Sequence, residues 1–317
     1  MPEKLKKRIL ISIILAGIIY LAFTVYADIE NLTKSLLLFS WVLIPVLLSL
    51  SLLNYITRFY KWNYYLKLLS IPLGLKDSFL IFMSGLIMSI TPGKMGELLK
   101  SWLVKEAIGE PISKTAPIVF AERLTDFVSL LVITLIGAYT FNYGRQIIII
   151  ISLVFLFLII ILSSGKPALV LINQLEKIRF LRKYIKNIHS AYQSSYQMLR
   201  PAPLFRMTLL SLVSWGFECL GYYLILINFN AQISVFWASF SYAFATVVGA
   251  VSMLPGGLGV TEGSLTLTLI QFGLQKDMAV AATFIIRAVT LWFAVLVGIV
   301  NLMIYQKQIK KLNLNSF

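Results

Sequence analysis

Apolar residues come in long, uninterrupted blocks along this chain. A bilayer core about 30 Å thick requires roughly 20 apolar residues per spanning helix. Six blocks meet or approach that length: Ile9–Tyr26, Leu36–Thr57, Ala116–Phe141, Ile147–Leu162, Leu204–Ile227 and Met278–Tyr305. The pattern predicts an all-α integral membrane protein, one transmembrane domain over 1–317 with about six spanning helices. The first block is longer than the roughly 7–15 apolar residues of a signal peptide, which favours a helix over a cleaved leader.

Two more apolar blocks, Phe79–Val104 and Val235–Gly273, are interrupted near the middle by Pro and Gly. Within lipid, a helix break is tolerated only where the backbone is buried in protein or lines a wet cavity. The arms of the first block are too short to cross the bilayer singly, so we predict two broken re-entrant hairpins, although the arm Val235–Met253 is long enough to cross almost fully. The hairpin-break residues are Thr91, Pro92, Gly93, Gly96, Pro255, Gly256, Gly257 and Gly259.

Charge predicts which side of the membrane each loop faces. The chain has 28 Lys and Arg against 13 Asp and Glu, a net charge of +15, with 59% hydrophobic and 13% charged residues. Short basic loops stay in the cytoplasm, whereas the loop Ala27–Ser35, with Asp28, Glu30 and one lysine, Lys34, suits the outside. The loop with Arg58, Lys61, Lys67 and Lys76 and the basic segment after Leu162 are both cytoplasmic only if Phe79–Val104 enters and leaves on the cytoplasmic side. The lysines after the last helix, Lys307, Lys310 and Lys311, are cytoplasmic only if Val235–Gly273 enters and leaves from outside. Both termini are then cytoplasmic, and we expect no nucleic-acid partner.

The basic connector 163–203 carries a helical stripe of apolar residues. Leu175, Ile178, Leu181 and Ile185 recur at three- and four-residue steps, and most of the cations lie off this stripe. A helix of this kind either lies on the anionic cytoplasmic leaflet or packs on the helical bundle. The sequence leaves both alternatives open.

The two broken blocks indicate an internal repeat. Each reads Pro-Gly-x-x-Gly followed by a carboxylate, and a spanning helix with an arginine comes next. Pro92 precedes Arg123 by 31 residues, and Pro255 precedes Arg287 by 32. Because the hairpins enter from opposite faces, we predict two halves of inverted topology, roughly 36–162 and 204–306. Many transporters build a mid-membrane substrate site in this way.

Ionisable side chains inside a bilayer are costly and are candidate functional groups. The predicted membrane segments contain Lys94, Glu97, Glu122, Arg123, Asp126, Glu218, Glu262 and Arg287. All of them except Glu218 are predicted to bind substrate. For Glu218 two alternatives stay open: a position that lines a pore, or a hydrogen-bonded position in the core. The competing interpretation is that Arg123 and Arg287 pair with Glu97 and Glu262 as structural ties.

The helices that follow the breaks would suit an anion, because a helix N-terminus offers free N–H groups and a partial positive charge. Thr91, followed by Pro92, and Thr261 are the expected capping residues. Lys94 adds a cation beside the first break. Lys100 is near enough to the interface to extend into it, so it is left out of the predicted site.

Little enzymatic chemistry is open to this chain. Cys219 is the only cysteine and His189 the only histidine, which excludes an intrachain disulfide and most zinc sites, serine triads and Cys–His dyads. The phosphate-binding pattern GxxxxGKS/T does not occur either. We therefore expect no metal, no cofactor and no enzymatic activity, and transport that is driven by an ion or lipid gradient or is passive.

Four features resemble one known family: the stretches SITPGKMGELLKSWLVK (Ser89–Lys105), AERLTD (Ala121–Asp126) and LPGGLGVTEG (Leu254–Gly263), and Arg287. The chain is similar to the lysylphosphatidylglycerol synthase transmembrane region family, also described as flippase-like, which includes the membrane half of the multiple peptide resistance factor. The resemblance covers essentially the whole chain and implies that it moves a polar or charged lipid between leaflets. The soluble aminoacyltransferase domain of two-part members is not expected here, so lysyl transfer is not carried over.

These features together predict a flippase-like protein that translocates a polar or charged lipid, with a phosphate-bearing headgroup between the hairpin tips. A secondary transporter of an ion or small anion is the alternative. An enzyme acting on a lipid phosphate and a non-transporting scaffold are further alternatives. We expect membrane lipids as partners and the cell (cytoplasmic) membrane as the location. Two further partners stay open: other copies of this chain in a homo-oligomer, and a separate lipid-synthesising enzyme.

Overall fold

The structure is a computed structural model that describes residues 3–91, 96–141, 148–154 and 185–314, together with 146 and 157. Every regular element in those ranges is helical, so the predicted all-α class is confirmed. The α-helices are α1 (Glu3–Ala27), α2 (Ile29–Leu38), α3 (Ile44–Leu68), α4 (Leu75–Gly85), α5 (Leu99–Ile108), α6 (Ile112–Phe141), α7 (Ile185–Met198), α8 (Pro201–Asn228), α9 (Val235–Val251), α10 (Val260–Gln271), α11 (Lys276–Arg287) and α12 (Phe293–Leu314).

Long apolar helices dominate the described part of the chain. Four segments are long and apolar enough to cross a bilayer: Trp41–Leu68, Ile112–Phe141, Pro201–Asn228 and Lys276–Gln308. The last of these joins α11 to α12 through a π-helical turn, Ala288–Trp292. α1 and α2 count as a fifth span only as a pair bent by 94°. The predicted block Ile147–Leu162 lies largely outside the described residues, so the number of six spans and the membrane topology stay predictions.

The N-terminal helix turns sharply instead of ending in a loop. The sequence predicts a loop over Ala27–Ser35, but most of that segment belongs to α2. Asp28, with a φ of 71°, reverses the chain direction, and its carboxylate accepts hydrogen bonds from the N–H groups of Glu30 (3.0 Å) and Asn31 (3.3 Å). The loop prediction is wrong because acidic residues also favour a helix start, where they cap free N–H groups.

The first broken block consists of α4, a 3₁₀ turn over Leu86–Ile90, and α5. Thr91 follows the turn, and its Oγ1 accepts a hydrogen bond from the N–H of Gly96 at 3.0 Å. A side chain on Gly96 has no space, because a Cβ there would lie 2.7 Å from the same Thr91 oxygen. The break residues Pro92, Gly93 and Lys94 lie outside the described residues.

The second broken block consists of α9, a 3₁₀ turn over Pro255–Gly257, and α10. Gly256 and Gly259 have φ values of 59° and 81°, a left-handed conformation that costs an L side chain about 1–2 kcal/mol. Thr261 is not the cap of α10 as the sequence predicts, because it lies within the helix and Gly259 holds the cap position.

The loops after α3 and α8 have the same backbone geometry. Ser70 and Asn230 both have positive φ values, 53° and 56°. The N–H of the following residue, Ile71 or Ala231, bonds back to a carbonyl in the last turn of the helix, at 2.9 and 3.1 Å. This is the bonding of a Schellman-type helix end. α4 and α9 then begin at matching positions, which is the pattern that a repeat requires.

Each hairpin packs on a long helix of the other half. α4 and its 3₁₀ turn lie against α12, where a Cβ on Gly298 would be 2.3 Å from the backbone N of Ile87. α9 lies against α6, where a Cβ on Gly137 would be 2.4 Å from Phe240. α3 and α8 pack on each other between the hairpins. This crossed arrangement brings the two breaks together at the centre of the protein.

The described part of the basic connector packs on the helical bundle. α7 lies against α6, with Ser194 and Met198 buried. Residues 163–184, which carry most of the predicted apolar stripe, lie outside the described residues. For α7, the structure therefore agrees with the bundle-packing alternative.

Candidate functional site

The two helix breaks meet at one internal cavity. A Cβ on Gly256, in the second break, would lie 3.4 Å from the Cα of Ile90, next to the first break. A cavity of about 210 Å³ lies at this junction. Its walls include Ser89 and Thr91 from the first hairpin, the turn around Gly256 from the second, and residues of α3, α6, α8, α9 and α11.

Three arginines line the cavity: Arg58 from α3, Arg123 from α6 and Arg287 from α11. Arg58 and Arg287 are buried, and the Arg123 side chain keeps 20% of its surface exposed. Asp126 and Glu218 are the acidic residues among the lining side chains. A buried surface with this excess of guanidinium groups favours an anion, because Arg presents several donors in a planar fork.

In the second half, Arg287 is tied to the hairpin by two direct contacts. Its Nε donates to Glu262 Oε1 at 2.7 Å, and its Nη2 donates to the carbonyl of Gly256 at 2.6 Å. Glu262 Oε2 accepts the N–H of Gly259 at 2.7 Å. The Glu262 carboxylate therefore already accepts a hydrogen bond from a backbone N–H group at the start of α10. This is the position at which the sequence predicts a bound anion.

Helix α1 reaches the same group of side chains. Tyr20 of α1 donates its hydroxyl proton to Glu262 Oε1 at 3.3 Å, and Trp292 Nε1 donates to the Tyr20 oxygen at 3.0 Å. The aromatic ring of Tyr20 also packs edge-on against Phe284. α1 thus helps to fix the carboxylate that orients Arg287.

The first half contains a larger buried group of charged side chains, here called the α3–α6 cluster. Its members share ion-pair contacts within 4 Å and join α3, the α5 hairpin arm and α6. They are Arg58, Lys61, Glu97, Lys100, Glu122, Arg123 and Asp126. Charges inside a membrane protein are stabilised by counter-charges or hydrogen bonds, and in this cluster the counter-charges come from three separate chain segments.

Lys61 is enclosed by acceptors. Its ammonium group donates directly to a carboxylate oxygen of Asp126, to Ser211 Oγ at 2.7 Å, and to Thr125 Oγ1 at 3.2 Å. Ser211 also donates to the same Asp126 oxygen at 2.9 Å. The contact joins α3, α6 and α8 around one ion pair.

Lys100 is equally enclosed. Its ammonium group donates directly to a carboxylate oxygen of Glu122 and lies 4.9 Å from the ring centre of Trp62. Its aliphatic stem passes Gly85, where a Cβ would be 2.5 Å from the Lys100 Cγ. A glycine in α4 therefore makes space for the lysine.

Three expectations about cations are corrected by these positions. The sequence assigns Arg58 and Lys61 to a cytoplasmic loop, but α3 continues to Leu68 and buries both. The sequence also predicts that the Lys100 side chain extends to the membrane interface, but Lys100 is 2% exposed. A signal for the α3 pair was present: Asn54, Arg58 and Lys61 recur at helical spacing on an otherwise apolar helix.

Among the remaining predicted residues, Glu97 belongs to the α3–α6 cluster, Glu262 pairs with Arg287, and Lys94 lies outside the described residues. Glu97 lies 3.1 Å from Arg123, and Glu262 lies 2.7 Å from Arg287, so the pairs named in the competing interpretation do form. Glu218 lines the cavity and also accepts a hydrogen bond from Tyr242 at 2.6 Å, which combines both of its open alternatives.

The described residues contain no group of three or more His, Cys, Asp or Glu side chains placed to hold a metal ion. Fold and site together define an integral membrane protein whose broken helices enclose a charged central cavity. The chain belongs to the family described as the lysylphosphatidylglycerol synthase TM region, which matches residues 9–298.

Several archaeal proteins are similar to this chain. A UPF0104 membrane protein of Methanocaldococcus jannaschii is 26% identical over 231 residues, covering 71% of this chain and 96% of that protein. A second one from the same organism is 24% identical over 326 aligned positions, covering 95% and 96%. A UPF0104 membrane protein of Pyrococcus horikoshii is 25% identical over 266 residues, covering 75% and 79%.

Proposed function

We propose that this protein translocates a phosphate-bearing lipid between the leaflets of the cell membrane and leaves the lipid covalently unchanged. The observation that carries the proposal is the central cavity, in which both helix breaks meet and which Arg58, Arg123 and Arg287 line. Arg binds phosphate oxygens with two parallel hydrogen bonds, which combines affinity with orientation. Membership of a family described by a phospholipid synthase membrane region supports a lipid substrate.

The size and lining of the cavity suit a headgroup. Its volume of about 210 Å³ is below the roughly 300–1,000 Å³ that encloses a drug-sized ligand. A lipid would therefore place only its headgroup there and leave its acyl chains outside. Phe127, Leu130 and Leu291 form an apolar part of the wall, and Met253, 60% exposed, lies at the rim.

The proposed transport cycle uses the two hairpins as inverted gates. In this proposal the first hairpin enters from the cytoplasm and the second from outside, so the headgroup site between them is reached from one face at a time. The matched loop geometry at Ser70 and Asn230 and the crossed packing of the hairpins support this arrangement. Six spanning helices and a location in the cell membrane are part of the same proposal.

A leaflet-translocation assay tests the proposal. Purified protein is placed in liposomes with fluorescent anionic, zwitterionic and lysine-bearing phospholipids and a polyprenyl phosphate, with and without an imposed ion gradient. The wild type should move at least one phosphate-bearing class. Arg123→Ala/Arg287→Ala should lower that rate at least about tenfold, since each arginine supplies charge-assisted hydrogen bonds. Arg206→Ala changes an exposed arginine and should leave the rate unchanged.

A small-anion transporter is the second candidate, because the cavity volume also fits inorganic phosphate. Phosphate and chloride flux are measured in the same vesicles. Anion flux without lipid movement would replace the lipid proposal, and movement of neither would exclude transport by the purified chain under a gradient.

A further inference from the structure

We propose that Lys61 and Lys100 are positioning residues: Lys61 holds the carboxylate of Asp126, and Lys100 holds those of Glu122 and Glu97, so that Arg58 stays available to bind a phosphate group in the cavity. The inference rests on the proposed function, because it assumes that the cavity receives an anion. It concerns residues that themselves lie behind the cavity wall, since neither lysine belongs to its lining.

The first observation is the order of contacts within the α3–α6 cluster. The shortest contacts to Asp126 and Glu122 are made by the lysines, which hydrogen-bond them directly. Arg58 Nε lies 3.9 Å from Asp126 Oδ2, and Arg123 Nη1 lies 3.4 Å from the same oxygen. These distances exceed the roughly 2.7–2.9 Å of a charge-assisted N–H···O bond.

The second observation is a set of buried donors without acceptors. Nε of Arg58 and Nε of Arg123 have no hydrogen-bond partner within the described ranges, and neither has Nε1 of Trp215. All three side chains line the cavity, and Arg58 is 6% exposed. Asp126 Oδ2 also has no hydrogen-bond partner within the described residues, but it lies 3.9 Å from Arg58 Nε, too far to accept a bond from it. A buried donor without an acceptor is costly, so these three donors favour an acceptor bound in the cavity.

The third observation is the charge balance. The described cluster holds four cations, Arg58, Lys61, Lys100 and Arg123, against three carboxylates, those of Glu97, Glu122 and Asp126. Glu218, the other carboxylate of the cavity wall, accepts a hydrogen bond from Tyr242. Within the cluster itself one positive charge is in excess, and a neighbouring anion would stabilise it in a low-dielectric interior. A monoanionic phosphate group, such as a phosphodiester, would balance it.

Removing a lysine should balance the charges within the cluster, so that its arginines bind the cluster's own carboxylates. In Lys61→Met the cations and carboxylates are equal in number, and Asp126 loses its direct partner. Its carboxylate then needs to move by only about 1 Å to hydrogen-bond Arg58 or Arg123, judged from the ideal bond length. Both arginines would turn from the cavity to the carboxylate, and the affinity for phosphate should fall about tenfold or more.

A charge-matched second substitution should restore binding. Lys61→Met/Asp126→Asn removes one cation and one carboxylate together, so the excess positive charge returns. Asp126→Asn alone adds to that excess and should bind phosphate more tightly than the wild type. Lys100→Met and Lys100→Met/Glu122→Gln form an independent pair with the same expected loss and recovery.

The test is calorimetric titration of detergent-purified variants with inorganic phosphate and with a short-chain phosphatidylglycerol. Lys67→Met, an exposed lysine on the same helix α3, is the matched control and should bind as the wild type does. Binding of both ligands identifies phosphate as the shared recognition element, whereas binding of the lipid alone adds a requirement for its glycerol or acyl parts. Thermal unfolding of each variant shows whether it is folded.

Three outcomes overturn the inference while the wild type binds phosphate or the lipid: undiminished binding by folded Lys61→Met and Lys100→Met, no recovery in the folded double variants, or weaker binding by Asp126→Asn. If the single lysine variants do not fold, the double variants and Asp126→Asn decide the matter, because they retain an excess of cations. A wild type that binds neither ligand contradicts the proposed function itself.

Discussion

Asn54 and Ser214 each donate a side-chain hydrogen bond to the backbone carbonyl of the other, at 2.9 Å from Asn54 Nδ2 and 3.3 Å from Ser214 Oγ. The two residues are 160 positions apart, on α3 and α8. The same offset relates Ser70 to Asn230, the two left-handed residues that follow these helices. Reciprocal contact between matching positions is what a two-fold axis between the two helices produces, and it supports the proposed inverted repeat.

The two hydrogen bonds between Asn54 and Ser214 should stabilise the packing of α3 on α8 independently of each other. Each side chain donates to a backbone carbonyl that alanine retains, so Asn54→Ala and Ser214→Ala each remove one of the two bonds. We expect each substitution to lower the unfolding free energy by about 0.6–1.7 kcal/mol, the range of buried hydrogen bonds between membrane helices, and the double variant by about the sum. Unfolding in a detergent titration measures it. Ser49→Ala, which removes only a bond to the carbonyl of Pro45 on the same helix, is the control. A loss no larger than that of the control would contradict the prediction.

The close approach of α12 to the first hairpin should depend on Gly298. A Cβ there would lie 2.3 Å from the backbone N of Ile87, which is a steric overlap that the backbone must relieve. Gly298→Ala should lower the unfolding free energy by about 1–3 kcal/mol. Gly216→Ala places the same methyl on α8 with no atom within 4 Å and should change stability by less than about 1 kcal/mol. Equal effects of the two in thermal unfolding would refute this prediction.

Removing the charge of only one partner in the Arg287–Glu262 ion pair should strongly lower the stability of the protein. Both side chains are buried, and Glu262→Gln or Arg287→Gln alone leaves one charge without its partner. Each should destabilise the protein by about 3–5 kcal/mol, and the double variant by less than the sum. The exposed pair of Lys34 and Glu30 is the control, since Lys34→Gln should cost at most about 1 kcal/mol. Denaturant titration of all four variants gives the comparison.

The predicted topology can be tested with single cysteines in a Cys219→Ser background. With both termini in the cytoplasm, Lys34→Cys should react with a membrane-impermeant maleimide in intact cells. Gln193→Cys and Lys307→Cys should react only after permeabilisation, because their basic surroundings favour the cytoplasm. All three positions are exposed, so differences report sidedness and not burial. Labelling of Gln193→Cys in intact cells would invert the topology and with it the proposed entry sides of the hairpins.

Much of the architecture follows from local sequence signals. Apolar block length predicts the helices, and the two Pro-Gly breaks predict where the chain leaves helical geometry, as Gly256 and Gly259 then show. The pairing of Arg287 with Glu262 also follows from the sequence, because a buried guanidinium needs a nearby carboxylate and few are available. These inferences work because the bilayer constrains the backbone independently of distant residues.

The positions of Arg58, Lys61 and Lys100 could not be obtained in this way. Hydropathy averages treat a single cation near the end of an apolar block as a sign that the block has ended. Whether such a cation is buried depends on counter-charges that come from elsewhere in the chain: Asp126, which pairs with Lys61, lies 65 residues away, and Ser211 lies 150 away. No local pattern contains that information.

By itself, the sequence determined the class of the protein, its family and the two helix breaks, because these depend on composition, on short motifs and on the requirement that backbone groups be hydrogen-bonded in lipid. Only the tertiary structure decided that the two breaks meet at one cavity and that Lys61 and Lys100 hold carboxylates behind its wall. The physical reason is that a buried charge is stable only beside its partner, and the crossed packing of the hairpins determines which partners meet.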